Sequence, residues 1–458
     1  MALGDLTIVG GNAACLVAAH ESALAGARVK LLLPSAGLHP ATVTGRRVDT
    51  GPRYVAVRKN ELLDPVERAL ARVGASSQHV ERFVTQTLEV PLVETPAPQM
   101  MFRGHRCPDL FATNDPAALA ALLTVEEVAC MRDELASRTW RPTGTIEQAS
   151  LYNHGDTFTR LFVEPRAEKV YPASWRIVDV RDRRRLDLPL IDPVVLRAAL
   201  YGYSPVLPTI PTYYYPECGN FSVIAERLYE LVLRNPSIEV HEFSRIEGLD
   251  DSRTNLVTDH GDHAIEGPLV LGVSIDQLSP LARLSDICDL QRFDVAWFEV
   301  ERDAVSPAAY VNLMDANHDA FRASFGGRTD DPAKTILCLE LAAGGDAEAA
   351  LTASELVAPG SSVERIGRLS SVARIAPSVR NRRLVDWAKR RLADLDPIYV
   401  GLLHDFSDGT MTEHLRQGLR AALMVKSRLE ANRTLESDLL PSVPLSAFGA
   451  ETPMPSYN

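Results

Sequence analysis

The N-terminal segment constrains the fold more than any other part of this sequence. An apolar run at 6–9 ends in the pair Gly10-Gly11, and a stretch of small and apolar residues begins at Ala13. A second apolar run follows at 29–33. Apolar runs of this kind are typical of parallel strands that are buried on both faces. The segment therefore predicts a βαβ unit with a tight turn before its helix, which is how dinucleotide-binding domains begin.

The turn of such a unit uses three small residues, and this chain supplies only part of that set. Gly10 stands at the first position, where the backbone turns sharply. Asn12 stands at the second position, where a side chain obstructs the close approach of a pyrophosphate. Cys15 stands at the third, and it is small enough to let the helix pack on the strand. The second strand ends in Pro34-Ser35, without the carboxylate that bonds the ribose in such folds.

The remaining elements suit two packed domains, since 458 residues are too many for one compact core. The pattern predicts helices at 61–73, within 114–140, at 221–233 and at 410–432, strands at 238–241, 269–271, 295–300, 335–341 and 398–400, and a hairpin around 259–262.

Charge and composition exclude several classes of function. The net charge of -12 disfavours binding to nucleic acid or to an anionic membrane surface. No window of eighteen apolar residues predicts a membrane span. The six cysteines are scattered without a CxxC pair, which indicates reduced thiols and no metal site. We therefore expect a cytoplasmic protein with a small-molecule substrate, no nucleic-acid partner and no metal.

Four segments together resemble the FAD-dependent amine-oxidase-like superfamily, which includes protoporphyrinogen oxidases, phytoene desaturases and, more distantly, UDP-galactopyranose mutases. The resemblance covers the chain from about 5 to 432. The segments are the N-terminal βαβ unit, the Asp-Thr-Gly-Pro motif within 48–54, the Tyr-Pro motif within 215–221 and the helix-forming stretch 408–422.

The resemblance implies an α/β fold in which a Rossmann-like FAD/NAD(P)-binding domain of the amine-oxidase type carries an inserted substrate domain of α+β type. On this basis we expect FAD as the cofactor. The predicted boundaries are 1–60, 212–280 and 390–435 for the discontinuous FAD-type domain, 61–211 and 281–389 for the substrate domain, and 436–458 for a C-terminal tail.

The resemblance also implies which residues lie at the cofactor. In the family the start of the closing helix faces the flavin ring and the pyrophosphate, and Thr410-x-x-Glu413 is a capping box that would begin this helix sharply. A well-capped helix without a ligand would show the same pattern. The cofactor-binding candidates are Gly10, Gly11, Asn12, Asp405, Gly409, Thr410 and Met411.

Two further residues are candidates for a substrate pocket. Tyr213 belongs to a group of tyrosines at 201–215, which could line a pocket but more commonly serves core or interface packing. Arg322 could bind an anionic substrate, or it could form a surface salt bridge. No residue is assigned as a catalytic acid or base.

Two hypotheses about function remain open at this point. The first is a flavin-dependent oxidoreductase acting on a small or medium-sized organic substrate, with the flavin supplying the hydride chemistry. The second is a cofactor-free relic of the FAD fold that acts as a binding partner or as a non-redox enzyme in a biosynthetic pathway. Under either hypothesis, a partner protein or a homo-oligomer is possible.

Overall fold

The computed structural model provides the elements from which the site is built. It describes residues 4–35, 41–43, 45–50, 53–59, 65–110, 116, 119–170, 176–180, 190–203, 211–282, 289–329, 331–376, 378–404 and 410–431. The strands are β1 (Gly4–Val9), β2 (Ala27–Pro34), β3 (Ala41–Val43), β4 (Arg46–Val48), β5 (Val55–Val57), β6 (Leu92–Thr95), β7 (Gln99–Phe102), β8 (His105–Pro108), β9 (Thr212–Pro216), β10 (Ile238–Phe243), β11 (Ile246–Leu249), β12 (Asn255–Thr258), β13 (Gly261–Ala264), β14 (Leu269–Leu271), β15 (Leu290–Glu301), β16 (Tyr310–Leu313), β17 (Ala320–Arg328), β18 (Lys334–Ala342), β19 (Val363–Ile375) and β20 (Ile398–Tyr399). The helices are α1 (Ala13–Leu24), α2 (Pro65–Arg72), α3 (Ser77–Arg82), α4 (Leu119–Leu122), α5 (Val125–Leu135), α6 (Ile146–Phe158), α7 (Glu164–Val170), α8 (Pro193–Leu200), α9 (Ser222–Arg234), α10 (Ile275–Ala282), α11 (Ala347–Ala353), α12 (Val379–Arg391) and α13 (Met411–Ala431).

A five-stranded parallel sheet forms the Rossmann-like part of the α/β fold. Its strand order is β10-β2-β1-β14-β20, and each neighbouring pair is parallel. From β1 the chain adds β2 and β10 on one side and then β14 and β20 on the other. The order therefore reverses between β1 and β14, and in open α/β sheets ligands bind outside the carboxyl ends of the strands at such a point.

Helices α1, α9 and α13 cover one face of this sheet. Side chains of Leu6 and Ile8 enter the core beneath these helices, whereas Val9 enters the core on the opposite face, which also contains residues of α10 and α12. Burial on both faces explains why the second half of β1, the centre of β2 and all of β14 are largely apolar, whereas the edge strand β10 contains polar residues. Helices α1 and α13 pack closely at Gly418, where a Cβ would lie 2.5 Å from Cβ of Val17.

A seven-stranded sheet forms the second main layer, in the order β19-β15-β18-β17-β16-β7-β8. All its pairs are antiparallel except β16 and β7, which are parallel. One face packs against α5, α6, α7 and α8, and the other face packs against α11. None of the helices in the described part of the chain is long and apolar enough to cross a membrane.

Most of the predicted elements are present. The strand at 269–271 has the predicted bounds, and the hairpin at 259–262 joins β12 to β13. The stretch 114–140 is not one helix, because its described residues form the separate helices α4 and α5. The division into two domains remains a prediction, although the parallel sheet takes its strands from three separate parts of the chain.

Candidate functional site

The turn after β1 requires glycine at its first position. Gly10 has a φ of 135°, and a Cβ there would lie 2.5 Å from the carbonyl oxygen of Gly272. Its N–H donates to the carbonyl of Leu32 at 2.9 Å, which ties the turn to the end of β2. Beside it, a Cβ on Gly11 would meet the side chains of Leu33 and Pro34 at 3.2 Å. The two glycines therefore let the chain pass closely over the ends of two strands.

Asn12 does not point away from this turn. It is the N-cap of α1, and its Oδ1 accepts a hydrogen bond from the N–H of Cys15 at 3.1 Å. Its Nδ2 donates to the carbonyl of Gly272 at 2.7 Å, at the carboxyl end of β14. A Cβ on Gly401, just beyond β20, would lie 2.5 Å from the same Nδ2. The carboxamide thus fills the space between the ends of β1, β14 and β20.

Cys15 performs the packing role expected of the third small residue. It is fully buried, and burial raises the pKa of its thiol to about 12. A Cβ on Gly272 would lie 2.3 Å from its Sγ, so helix and strand are in close contact here. A thiol that is buried and protonated is a packing group rather than a nucleophile.

The end of β2 carries hydroxyl groups where a dinucleotide fold usually has an acid. Ser35 Oγ lies 3.1 Å from Ser244 Oγ, and the N–H of Ser35 donates to the carbonyl of Phe243 at 2.7 Å. The hydrogen bonds between β2 and β10 thus continue to Ser35, and the chain from 29 to 35 brings no carboxylate to this edge.

The closing helix α13 links the glycine turn to the rest of the site. The N–H of Glu413 donates to Thr410 Oγ1 at 3.3 Å, so one arm of the predicted capping box is present. Thr412 Oγ1 accepts from the N–H of Ala56 in β5 at 3.0 Å. Further along the helix, Gln417 Oε1 accepts from the N–H of Gly401 at 2.6 Å. Met411 packs half-buried on the core, whereas the candidates Asp405 and Gly409 lie outside the described residues.

Three tyrosines from distant parts of the chain meet where β5 and β9 face the seven-stranded sheet. The rings of Tyr54 and Tyr213 contact edge to face with centroids 5.1 Å apart. Tyr54 also stacks on Tyr310 of β16 at 5.9 Å. The tyrosines at 201 and 203 do not join this group, because they are exposed, and Tyr201 lies against Arg132 instead. Tyr54, Tyr213 and Tyr310 are called the junction cluster below.

Buried polar groups lie beside the junction cluster. Ser324 is paired directly with Tyr310, and its hydroxyl is buried with no hydrogen-bond partner. On the same face of β16, Asn312 donates from Nδ2 to Asp109 at 3.0 Å, while its Oδ1 is buried without a partner. Asp109 and Ser324 were not predicted from the sequence, because nothing in the sequence marks them as neighbours of these strands.

Arg322 is held in a buried ion pair. Its guanidinium contacts Glu340 of β18 through two nitrogens, at 2.5 and 3.0 Å, and the exposed fractions of the two side chains are 13% and 4%. The pair therefore differs from the surface salt bridge that was the simpler alternative. A role for Arg322 toward a substrate remains a prediction.

Asp49 joins the two main layers. Its buried carboxylate accepts hydrogen bonds from the hydroxyl of Tyr215 and from the N–H of Phe221 at the start of α9. Its carbonyl accepts from Nε1 of Trp297 in β15 at 2.8 Å. Burial raises the pKa of this carboxyl to about 6, although Tyr215 and Arg53 oppose the shift. Among the described residues, no group of three or more His, Cys, Asp or Glu is arranged for a metal.

No protein-family model matches the chain, and no curated protein matches its sequence. Solved structures nevertheless match it over nearly its whole length. A crystal structure of reduced UDP-galactopyranose mutase has a TM-score of 0.64 at 14% identity and covers 98% of this chain and 100% of its own.

Two further structures extend the likeness to an oxidase and another oxidoreductase. A putrescine oxidase triple mutant from a redesign of cofactor binding has a TM-score of 0.51 at 14% identity, over 93% of this chain and 99% of its own. An oxidoreductase from Methanosarcina mazei has a TM-score of 0.50 at 12% identity, over 82% and 88%. The resemblance inferred from four sequence segments is confirmed at the level of the fold: the chain has the α/β fold that UDP-galactopyranose mutase and putrescine oxidase have.

Proposed function

We propose that the protein is a flavin-dependent oxidoreductase that acts on a small or medium-sized organic substrate in a cytoplasmic biosynthetic pathway. The observation that carries the proposal is the junction cluster. Tyr54 and Tyr213 lie next to the start of the closing helix, whose Thr412 bonds to β5, and Tyr310 brings in the seven-stranded sheet. Aromatic side chains with a few convergent polar groups are typical of small-molecule sites.

The polar groups at the cluster support a substrate that forms hydrogen bonds. Ser324 Oγ and Asn312 Oδ1 are buried without partners, and a polar atom left in this state destabilises the folded protein by about 1–3 kcal/mol. Hydroxyl or amine groups of a substrate are the kind of partner that these two atoms lack. Asn312 also contacts the buried carboxylate of Asp109, which favours a substrate group that donates rather than accepts.

The cofactor would be FAD, whose flavin ring supplies hydride chemistry when bound. The start of α13 fits such a ligand, since helix N-termini accept phosphate groups. The start of α1 does not fit a pyrophosphate as it stands, because Asn12 already bonds to the N–H of Cys15 and to Gly272. We therefore propose that FAD is held weakly.

The same observation at Asn12 favours a second candidate. Because Asn12 already bonds to polar groups of this turn, the turn needs no phosphate to be stable. The chain could therefore also be a cofactor-free relic of the fold that acts as a binding partner or as a non-redox enzyme. The two candidates differ in a measurable property, because only the first binds FAD reversibly at the carboxyl ends of the parallel strands.

The test is reconstitution with excess FAD followed by anaerobic spectroscopy. We expect an oxidised-flavin band at roughly 450 nm that decreases when a member of a panel of primary amines and secondary alcohols is added. Tyr310→Ala should slow that decrease, whereas Tyr201→Ala, which removes an exposed ring, should leave it unchanged. Absence of FAD binding at millimolar FAD would exclude the flavin enzyme and leave the cofactor-free candidate.

A further inference from the structure

The contacts of Asn12 have a consequence for how this fold takes up a dinucleotide. The first-turn N–H groups of a helix have no partner within the helix, and together with the helix dipole they form a site for anions. In α1, the Oδ1 of Asn12 accepts from one of these groups, the N–H of Cys15, at 3.1 Å. The side chain therefore uses a donor that a phosphate oxygen would otherwise use.

The other end of the carboxamide reaches the point where the strand order reverses. Asn12 Nδ2 donates to the carbonyl of Gly272 at 2.7 Å, beyond β14, the neighbour of β1. Gly272 itself donates its N–H to Val9 at 2.9 Å, which fixes the position of that carbonyl. The carboxamide thus lies in the crevice at this point and joins the first turn of α1 to the carboxyl end of β14 with two hydrogen bonds.

The surrounding chain is shaped around this side chain. A Cβ on Gly272 would lie 2.9 Å from Asn12 Nδ2, and a Cβ on Gly401 would lie 2.5 Å from it. Gly401 also has a φ of 66°, a conformation that other residues adopt with strain. The two glycines leave a space that the carboxamide fills.

We infer that Asn12 is an internal substitute for the cofactor phosphate, and that its side chain must turn away before a dinucleotide can occupy the carboxyl ends of β1 and β14. The inference rests on the proposed function in one respect, which is that the dinucleotide is FAD. The turned-away state loses both hydrogen bonds of the carboxamide. The competition weakens FAD binding by roughly 2- to 30-fold, the affinity equivalent of one lost N-cap.

The inference predicts opposite effects of one substitution on stability and on affinity. In Asn12→Gly, the apoprotein loses the bond to Gly272, and glycine replaces the capping side chain at little cost, so its Tm should fall by roughly 1 °C. FAD affinity should rise by roughly 2- to 30-fold, because nothing has to be displaced. If Asn12 only held the binding turn in shape, the substitution would lower stability and would not raise FAD affinity.

The experiment is calorimetric titration of FAD, and of ADP as a shorter probe, into the full-length protein and its variants. Asn12→Ser keeps a capping oxygen on a shorter side chain, so its affinity should lie between those of the wild type and Asn12→Gly. The matched control is Asp346→Ala, which removes the N-cap of α11, where Asp346 accepts from the N–H of Ala349 at 3.0 Å. It should lower the Tm without changing FAD affinity.

The outcomes separate this inference from the proposed function. Tighter binding by Asn12→Gly together with a lower apoprotein Tm supports the inference. Equal or weaker binding by Asn12→Gly overturns it and leaves the flavin enzyme standing. If neither protein binds FAD at millimolar concentration, the flavin proposal and the inference both fail, because an opened crevice should then accept the ligand.

Discussion

Replacing Asp49 by Asn tests how the two layers are joined. The carboxylate is 4% exposed and accepts hydrogen bonds from Tyr215 and Phe221, while its backbone carbonyl binds Trp297. Burial raises its pKa from the ordinary 3.8 to about 6. The variant keeps the shape of the side chain and carries no charge at any pH, so a comparison with the wild type isolates the titration of this one group.

The sign follows from linkage. A carboxyl with a raised pKa in the folded state contributes most to stability below pH 3.8, where it is protonated in both states, and the contribution is lost as the pH rises through about 6. Because one pKa unit corresponds to about 1.4 kcal/mol, the loss amounts to about 3 kcal/mol. The free energy of unfolding of Asp49→Asn should therefore rise relative to wild type by about 3 kcal/mol between pH 3 and pH 7.

The assay is urea denaturation of both proteins at several pH values across this range, with the difference between them plotted against pH. Tyr215→Phe provides a second variant: it removes a hydrogen bond that favours the charged form, so the pKa of Asp49 should rise further and the transition should move to higher pH. A difference between wild type and Asp49→Asn that does not change with pH would refute a raised pKa at this joint.

Two other substitutions test the packing around α1. His20→Leu should raise the free energy of unfolding by about 1–3 kcal/mol, because both ring nitrogens of His20 are buried without a partner. A lower Tm in a thermal melt would contradict this expectation. Gly418→Ala should lower the free energy of unfolding by about 1–3 kcal/mol, although alanine has the better helix propensity. The reason is that its Cβ would lie 2.5 Å from Val17 and 2.7 Å from the carbonyl of Ala14. An unchanged urea midpoint would show that α1 and α13 can separate at no cost.

The strands of the parallel sheet could be predicted because the apolar pattern of each strand indicates that it is buried. Four consecutive residues at the end of β1, three consecutive residues within β2 and all of β14 are buried, so these runs are largely apolar and can be recognised without knowledge of their partners. The start of α13 was predictable for a similar reason, since Thr410 and Glu413 are three residues apart. In both cases, the pattern of residues near each other in the sequence was sufficient for the prediction.

The candidate site was less predictable because its contacts join residues far apart in sequence. Asn12 was expected to obstruct a pyrophosphate, but its bond to Gly272 spans 260 positions, and no sequence pattern indicates it. The bond between Asp49 and Tyr215 spans 166 positions. The pairing of Arg322 with Glu340 could not be predicted, because strand register decides which charged residues face each other across β17 and β18.

The amount of FAD that stays with the purified protein tests the account most directly. The sample is dialysed extensively and denatured, and released FAD is quantified against protein. The missing carboxylate at Pro34-Ser35 removes hydrogen bonds worth roughly 1.5–3 kcal/mol each, and Asn12 competes at the pyrophosphate. The account therefore predicts clearly less than one FAD per chain, and more FAD retained by Asn12→Gly. One FAD per wild-type chain after dialysis would contradict it.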